Sequence, residues 1–268
     1  MPDAFATIAS LPPQTVELIA RVLETRAAIP SQQAMLRDYL SEIAFPPGAN
    51  VLEVGCGTGA VCRVLAGWPN VASVTGIDPS SLLIAKAREL AREQRAIRFE
   101  EGDGRKLRFA GATFDVVILH TLLSHVPGPM DFISEALRVL KPGGALGVCD
   151  GDFSTATLAT GPCDPLESCA RAFVENWVND PWLVRRLSAL VQQAGFAVRP
   201  IRCYGVMETQ SPGLTMTWVD RGVDTLAAGG RIGTELAAAL RAEARRRAAD
   251  GSFFGYMSYA ALTARKPG

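Results

Sequence analysis

Histidine and paired cysteines are scarce in this sequence. It contains two histidines, His120 and His125, and none of its six cysteines forms a C-x-x-C pair. Zinc sites in proteins are built from such residues at close spacing, so no metal site is expected. An excess of charge is also missing, because 27 basic residues balance 27 acidic ones. A net charge of zero gives no electrostatic attraction to nucleic acid or to an anionic membrane surface.

Long apolar runs are absent as well. No stretch reaches the ~18 apolar residues that a membrane-spanning helix needs. The N-terminus also lacks the basic region followed by an apolar run that marks a signal peptide. We therefore expect no membrane span and a cytoplasmic location, in which the cysteines are reduced and mostly buried. The 268 residues suit one α/β domain with additional segments.

A glycine-rich turn follows the first predicted strand, Asn50–Val54, and precedes a helical pattern that begins at Ala60. In this turn Gly55 permits a tight bend, and Gly57 lets the backbone approach a ligand closely. The following helix directs the partial positive charge of its N-terminus toward that ligand. The same pattern satisfies the dinucleotide-binding fingerprint, and it is also compatible with a loop that merely turns tightly.

Strands alternate with helical patterns after this turn. Predicted strands at 71–77, 97–99, 114–119 and 145–149 are separated by amphipathic stretches. This alternation predicts a parallel sheet with helices on both faces. Asp78 ends the second strand, 21 residues after Gly57. An acidic side chain at that position can accept hydrogen bonds from ribose hydroxyls, although it could also cap the next helix.

Five stretches occur in a fixed order: Val51–Gly59, Gly76–Asp78, Gly102–Gly104, Phe114–Pro127 and Leu140–Gly144. Together they resemble the class I S-adenosylmethionine-dependent methyltransferases over about residues 32–150. Within that family they are most similar to the ubiquinone/menaquinone C-methyltransferase-like (methyltransferase type 11) group. The resemblance implies a Rossmann-like, seven-stranded, mostly parallel α/β sheet, whose last strand is antiparallel and lies between strands five and six. It also implies S-adenosyl-L-methionine as the cofactor.

The resemblance assigns roles to individual residues. Glu53 would offset the ammonium group of the cofactor, and Asp78 would bind the ribose diol. Asp103 would meet the adenine amino group, and Gly104 would leave room for the ring. The implied cofactor-binding set is Glu53, Gly55, Cys56, Gly57, Asp78, Pro79, Asp103, Gly104 and His120.

His125 is the candidate catalytic residue. It precedes Val126-Pro127 at the expected rim of the ligand crevice. An imidazole titrates near neutrality, so His125 could act as a general base. A structural histidine that ties down a loop is the alternative interpretation.

The whole chain, 1–268, is expected to form a single domain. Its core would comprise about 46–150, 181–210 and 251–265, and cover segments at about 1–45, 151–179 and 211–250 would lie over the carboxyl ends of the strands. Residues 1–12 are expected to form a loose arm. Aromatic and methionine residues outside the first five strands suit an apolar acceptor: Phe153, Phe173, Trp177, Met207, Met216 and Trp218.

The sequence therefore predicts methyl transfer to a small, largely apolar molecule, by C- or O-methylation of a natural-product or quinone-like acceptor. It is compatible with a homodimer. Two alternatives stay open. One is an NAD-dependent oxidoreductase, which Glu53 and Gly102–Gly104 disfavour. The other is a protein that binds the same cofactor for a different reaction, such as a cyclisation, because fold and cofactor do not determine the reaction.

Overall fold

A computed structural model describes residues 3, 5, 7–210 and 212–268. Its frame is a sheet in the order β3-β2-β1-β4-β5-β8-β6, with β7 also paired to β8. The strands are β1 (Ala49–Val54), β2 (Val71–Asp78), β3 (Ile97–Glu101), β4 (Phe114–His120), β5 (Leu140–Thr157), β6 (Ala197–Val198), β7 (Arg202–Glu208) and β8 (Gly255–Arg265).

The first five strands are parallel, and β8 runs antiparallel to β5 on one side and to β6 and β7 on the other. β6 and β7 are two parts of one edge position, separated by a short break around Pro200. Proline has no N–H to donate to a ladder, which explains the break. The predicted fold, with an antiparallel last strand between the fifth and sixth positions, is confirmed.

Helices flank both faces of the sheet. They are α1 (Pro13–Ala28), α2 (Pro30–Ser41), α3 (Ala60–Ala66), α4 (Ser81–Leu90), α5 (Pro129–Val139), α6 (Glu167–Trp177), α7 (Leu187–Gln193), α8 (Leu214–Ala228) and α9 (Thr234–Asp250). Short 3-10 turns lie at Ile8–Ser10, Leu123–His125 and Leu183–Arg186. Among the helices described, none is both long and apolar enough to cross a membrane.

The core is divided by the sheet into two apolar layers. Val116 and Ile118 of β4 belong to the layer that contains Tyr39 and Trp218, whereas the intervening Val117 belongs to the other layer. Successive side chains of a strand point to opposite faces, so a continuous apolar strand fills both layers. This is the physical reason for the apolar run in β4.

Two local predictions differ from the structure. The fifth strand is predicted at 145–149 but extends over Leu140–Thr157, because β8 pairs with it as far as Thr157. Residues 151–157, predicted as part of a cover segment, are therefore sheet. The prediction of a loose arm is wrong for its described residues Asp3 and Ile8, whose side chains are buried.

Candidate functional site

A cavity of about 530 Å³ lies at the carboxyl ends of β1, β2 and β4, beside the glycine-rich turn. Parallel strands end at one edge of the sheet, so loops far apart in the sequence meet there. The cavity is lined by all ten residues that the sequence singles out: Glu53, Gly55, Cys56, Gly57, Asp78, Pro79, Asp103, Gly104, His120 and His125.

Two glycines of this set are required by their surroundings. Gly57 has a φ of +52°, a conformation that other residues rarely adopt. A Cβ atom on Gly104 would lie 2.4 Å from a methyl carbon of Val54 and 2.7 Å from the Phe132 ring. Gly104 therefore serves the packing of its loop against β1 and α5, as well as leaving space in the cavity.

The Asp78 carboxylate connects β2 to the glycine-rich turn. Its Oδ2 accepts a hydrogen bond from the Gly57 N–H at 2.9 Å, and its Oδ1 accepts one from the Ser80 N–H at 2.9 Å. Burial raises the pKa of Asp78 to about 6, although the two backbone donors oppose the shift. The N-cap of α4 is Ser80, whose Oγ accepts from the Leu83 N–H. Asp78 is therefore not the cap of that helix.

Glu53 is almost fully buried at the end of β1, with 2% of its surface exposed. Its Oε2 accepts a hydrogen bond from the Cys62 thiol at 2.8 Å. Burial raises the pKa of Glu53 to about 8. A cation beside the carboxylate would oppose this shift and favour the ionised form. Cys62 is not among the predicted site residues, although the helical pattern that begins at Ala60 places it in the first turn of α3.

Asp103 lies half exposed at the rim of the cavity and is paired with Arg105. The Arg105 guanidinium donates to both carboxylate oxygens at 2.8–3.1 Å. This hydrogen bonding keeps the pKa of Asp103 below its ordinary value. Asp103 is a predicted site residue, whereas Arg105, which any ligand at Asp103 would also meet, is not among the residues that the sequence predicts.

His120 is buried at the end of β4 and bonded to a helix outside the sheet. Its Nδ1 lies 3.0 Å from the Tyr39 hydroxyl of α2, and the two rings are stacked. Burial lowers the pKa of His120 to about 3, so its imidazole is neutral near pH 7. Its side chain thus connects α2 to the base of the cavity.

His125 is held by Asp3, a residue that no local pattern could associate with it. The Asp3 Oδ2 lies 2.8 Å from His125 Nδ1 and also accepts the Asn179 N–H at 3.0 Å. The imidazole is packed between the rings of Phe5 and Phe153, with centroids at 4.7 and 5.3 Å. Within the described part of the chain, Nδ1 is the only atom of this ring with a hydrogen-bond partner.

A smaller cavity of about 50 Å³ adjoins the first and shares Phe5, Leu23, Arg26, Thr121 and His125 with it. Three of the six residues predicted to face an acceptor line it: Phe153, Phe173 and Trp218. The other three do not: Trp177 donates its Nε1–H to Thr225, Met216 packs at the margin of the core, and Met207 is 59% exposed on β7.

In the residues that the structure describes, no three His, Cys, Asp or Glu side chains are grouped closely enough to hold a metal ion.

Comparison with known proteins agrees with this geometry. Residues 52–148 match the profile of a family described as a methyltransferase domain. A 2-methyl-6-phytyl-1,4-hydroquinone methyltransferase of Synechocystis is 41% identical over 106 residues, covering 40% of this chain and 33% of that protein. An uncharacterized 37.1 kDa transposon protein of Streptomyces fradiae is 30% identical over 177 residues, covering 66% of this chain and 50% of that protein. The chain spans half or less of the length of such curated relatives.

Among solved structures, the cyclase SpnF superposes over 100% of this chain and 98% of its own, with a TM-score of 0.63. Its sequence identity is 23%, so the similarity shows the fold alone. The matched region contains the glycine-rich turn, Glu53, Asp78 and Asp103. Residues 52–148 are therefore a methyltransferase domain, as the resemblance of the sequence implies.

Proposed function

We propose that this chain transfers a methyl group from S-adenosyl-L-methionine to a small, largely apolar organic acceptor by C- or O-methylation. The observation that carries the proposal is the cavity of about 530 Å³, into which three carboxylates project from the ends of adjacent strands. Glu53, Asp78 and Asp103 lie at or just after the ends of β1, β2 and β3. Their order along the sheet matches a ligand with a cation, a diol and an amine.

The donors and acceptors in the cavity fit that cofactor. Glu53 is buried with only a thiol donor, so an ammonium group would compensate its charge. Asp78 can accept hydrogen bonds from a ribose diol, and Asp103 can accept one from the adenine amino group. Gly57 permits close approach of the backbone to the methionine end, beside Cys56 and Pro79.

When bound, S-adenosylmethionine supplies a methyl group on a sulfonium leaving group. The task of the protein is to orient an acceptor in line with that methyl group and to exclude water. Residues Phe5, Ile8 and Leu23 of the N-terminal segment and α1 form one wall of the cavity. This wall supports a closed site that admits a small molecule.

His125 is proposed as the general base when the acceptor is an oxygen. Asp3 holds Nδ1, which leaves Nε2 to take the proton of the acceptor. The carboxylate would also stabilise the imidazolium that forms, so Asp3 acts as a positioning residue. A carbon acceptor that is activated by its own ring needs less assistance from a base. For such an acceptor, orientation would supply most of the rate acceleration.

The proposal includes a cytoplasmic location and excludes nucleic acid and protein as acceptors. All six cysteines are free, which suits a reducing compartment. The formal net charge of zero supplies no field that would steer a polyanion to the site. The proposed function is compatible with a homodimer. Sedimentation of the purified protein would measure its oligomeric state.

The test combines binding and transfer. Calorimetry should show binding of S-adenosylhomocysteine with no comparable binding of NAD, and preference for NAD would refute the cofactor. Incubation with methyl-labelled S-adenosylmethionine and a metabolite extract should place label in a small molecule. Label that appears in protein or RNA and never in a small molecule would refute the acceptor class.

A further inference from the structure

Two arginines line the smaller cavity from different helices, Arg26 of α1 and Arg221 of α8. Within the described part of the chain, neither guanidinium forms an ion pair or a side-chain hydrogen bond. Arginines elsewhere behave differently: on α9, Arg241, Arg246 and Arg247 each pair with a carboxylate. The two cavity arginines are therefore cations that lack an internal counter-ion in contact.

Arg221 is largely buried, which lowers the pKa of its guanidinium. Its guanidinium carbon lies 4.8 Å from the centroid of the Trp177 ring. Stacking uses the face of the guanidinium and leaves the N–H groups at its edge available for an oxyanion. Asp3 is the carboxylate that acts on Arg221 electrostatically, but its oxygens already bond to Phe5, His125 and Asn179.

Arg26 lies where the cavities meet. It lines the cavity of about 530 Å³, the smaller cavity of about 50 Å³ and a groove bounded by α1, α2 and α3. A buried or half-buried cation without a partner is unfavourable, and an anion supplied by a ligand would relieve this for both arginines.

The remaining walls of the smaller cavity carry several aromatic rings among aliphatic side chains and two threonines. The rings of Phe173 and Trp218 are stacked with centroids 5.6 Å apart, and Phe153 lies beside them. The volume of about 50 Å³ suits one small polar group, whereas the adjoining cavity of about 530 Å³ has room for a larger body. His125 borders both spaces, so a ligand that spans them passes the proposed base.

We propose that the acceptor is a ring compound with an anionic oxygen group, a carboxylate or a phosphate, which Arg26 and Arg221 bind in the smaller cavity. The inference rests on the proposed methyl transfer and narrows its acceptor from apolar molecules in general to amphiphilic acids. A planar oxyanion can accept two hydrogen bonds from the edge of a guanidinium, which gives orientation as well as affinity. That orientation would place the ring of the acceptor beside His125.

The experiment measures binding of matched small molecules to the full chain saturated with S-adenosylhomocysteine. The probes are benzoate and phenyl phosphate, each compared with the uncharged benzamide, and 4-hydroxycinnamate compared with its amide. The anionic member of at least one pair should bind about tenfold or more tightly than the neutral member, as expected for charge-assisted hydrogen bonds. The benzoate and phenyl phosphate arms distinguish a carboxylate from a phosphate.

Variants connect the preference to the two arginines. Arg221→Gln and Arg26→Gln should each reduce the preference to less than about threefold, and Arg221→Lys should retain part of it because the charge remains. The control Arg92→Gln removes an exposed arginine that lines neither cavity and should keep the full preference. Affinity for S-adenosylhomocysteine should be unchanged in Arg221→Gln, which shows that the variant is folded.

Equal affinity within every pair, including no measurable binding of either member, would overturn the anionic acceptor. So would a preference that persists in Arg221→Gln. Loss of S-adenosylhomocysteine affinity in Arg26→Gln with an intact anion preference would reassign Arg26 to the cofactor and overturn its role here. These outcomes differ from failure of the unaltered chain to bind S-adenosylhomocysteine, which would refute the proposed function itself.

Discussion

Asp78 has two tasks in the proposed site, and a substitution can separate them. Asp78→Ala should weaken binding of S-adenosylhomocysteine by ~1.5–3 kcal/mol, because charge-assisted hydrogen bonds to the ribose are lost. The measurement is calorimetry on folded variants. Because Asp78 also accepts from the Gly57 and Ser80 N–H groups, the free energy of unfolding should fall as well. Unchanged affinity with reduced stability would leave Asp78 only the task of holding the loop.

Burial of Glu53 predicts a pH-dependent stability of the ligand-free protein. Its pKa is about 8 in the folded chain, against 4.5 as the ordinary value. Between these values the folded state binds more protons than the unfolded state, so the contribution of Glu53 to stability falls as pH rises through this window. The variant Glu53→Gln, which cannot ionise, should therefore gain stability relative to the unaltered protein, on the order of 4 kcal/mol by the alkaline end of this window.

Chemical denaturation at several pH values measures this difference. Glu93→Gln is the matched control, because it makes the same substitution at a glutamate whose side chain is 85% exposed. If the free energy of unfolding of Glu53→Gln differed from that of the unaltered protein by the same amount at every pH in this window, the uncompensated burial of Glu53 would be refuted. The same variant should bind S-adenosylhomocysteine more weakly near the upper end of the window, since the ammonium loses its carboxylate partner.

His125 and Asp3 make a kinetic prediction. If His125 is the base, His125→Ala should lower turnover by about 10²–10⁴-fold while leaving cofactor affinity unchanged. Asp3→Asn should lower turnover by a smaller factor, because the imidazole loses the carboxylate that holds its Nδ1. Nearly unchanged turnover in His125→Ala would mean that transfer relies on positioning alone, or on another base.

At the scale of elements, the packing of α6 against α8 depends on a glycine. A Cβ atom on Gly222 would lie 2.1 Å from the carbonyl oxygen of Cys169 and 2.7 Å from its Cα. Backbone atoms cannot move aside as a flexible side chain can, so the two helices must separate. Gly222→Ala should lower the free energy of unfolding by about 2 kcal/mol or more, measured by denaturant titration.

The control for this prediction is Gly161→Ala in the exposed loop between β5 and α6. A Cβ atom there meets nothing within 4 Å, so its effect on stability should be small. Equal stability of the two variants would show that α6 and α8 can separate without loss. Because Arg221 and Trp218 are on α8, Gly222→Ala should also change the smaller cavity and weaken any acceptor bound there.

The whole molecule is proposed to be one domain in which about 1–45, 158–179 and 211–250 cover the ligand site. Contacts of α1 with α3, α4 and α8 support this arrangement. Saturation with S-adenosylhomocysteine should slow proteolytic cleavage in these segments, because a bound ligand stabilises the folded state that closes over it. Cleavage in the exposed loop at 92–96 is the internal control, and equal slowing there would indicate global stabilisation in place of closure.

Much of the fold and part of the site could be predicted from local sequence. Strand alternation, the glycine-rich turn and Asp78 at the end of β2 are patterns formed by residues that are close together in the sequence. Their meaning depends on backbone conformation and side-chain periodicity, which neighbouring residues determine. Glu53, Asp103 and Gly104, whose roles are implied by the family resemblance, also line the cavity.

Only the tertiary structure decided which distant residues complete the site. Asp3 meets His125 across 122 positions, and Tyr39 meets His120 across 81. Arg26 and Arg221 share a cavity although they belong to different helices, and β5 continues to Thr157 because β8 pairs with it. Such contacts depend on how the chain returns to the edge of the sheet. No local propensity encodes that path, so the sequence by itself determined the methyltransferase core, and packing of the added segments determined what surrounds it.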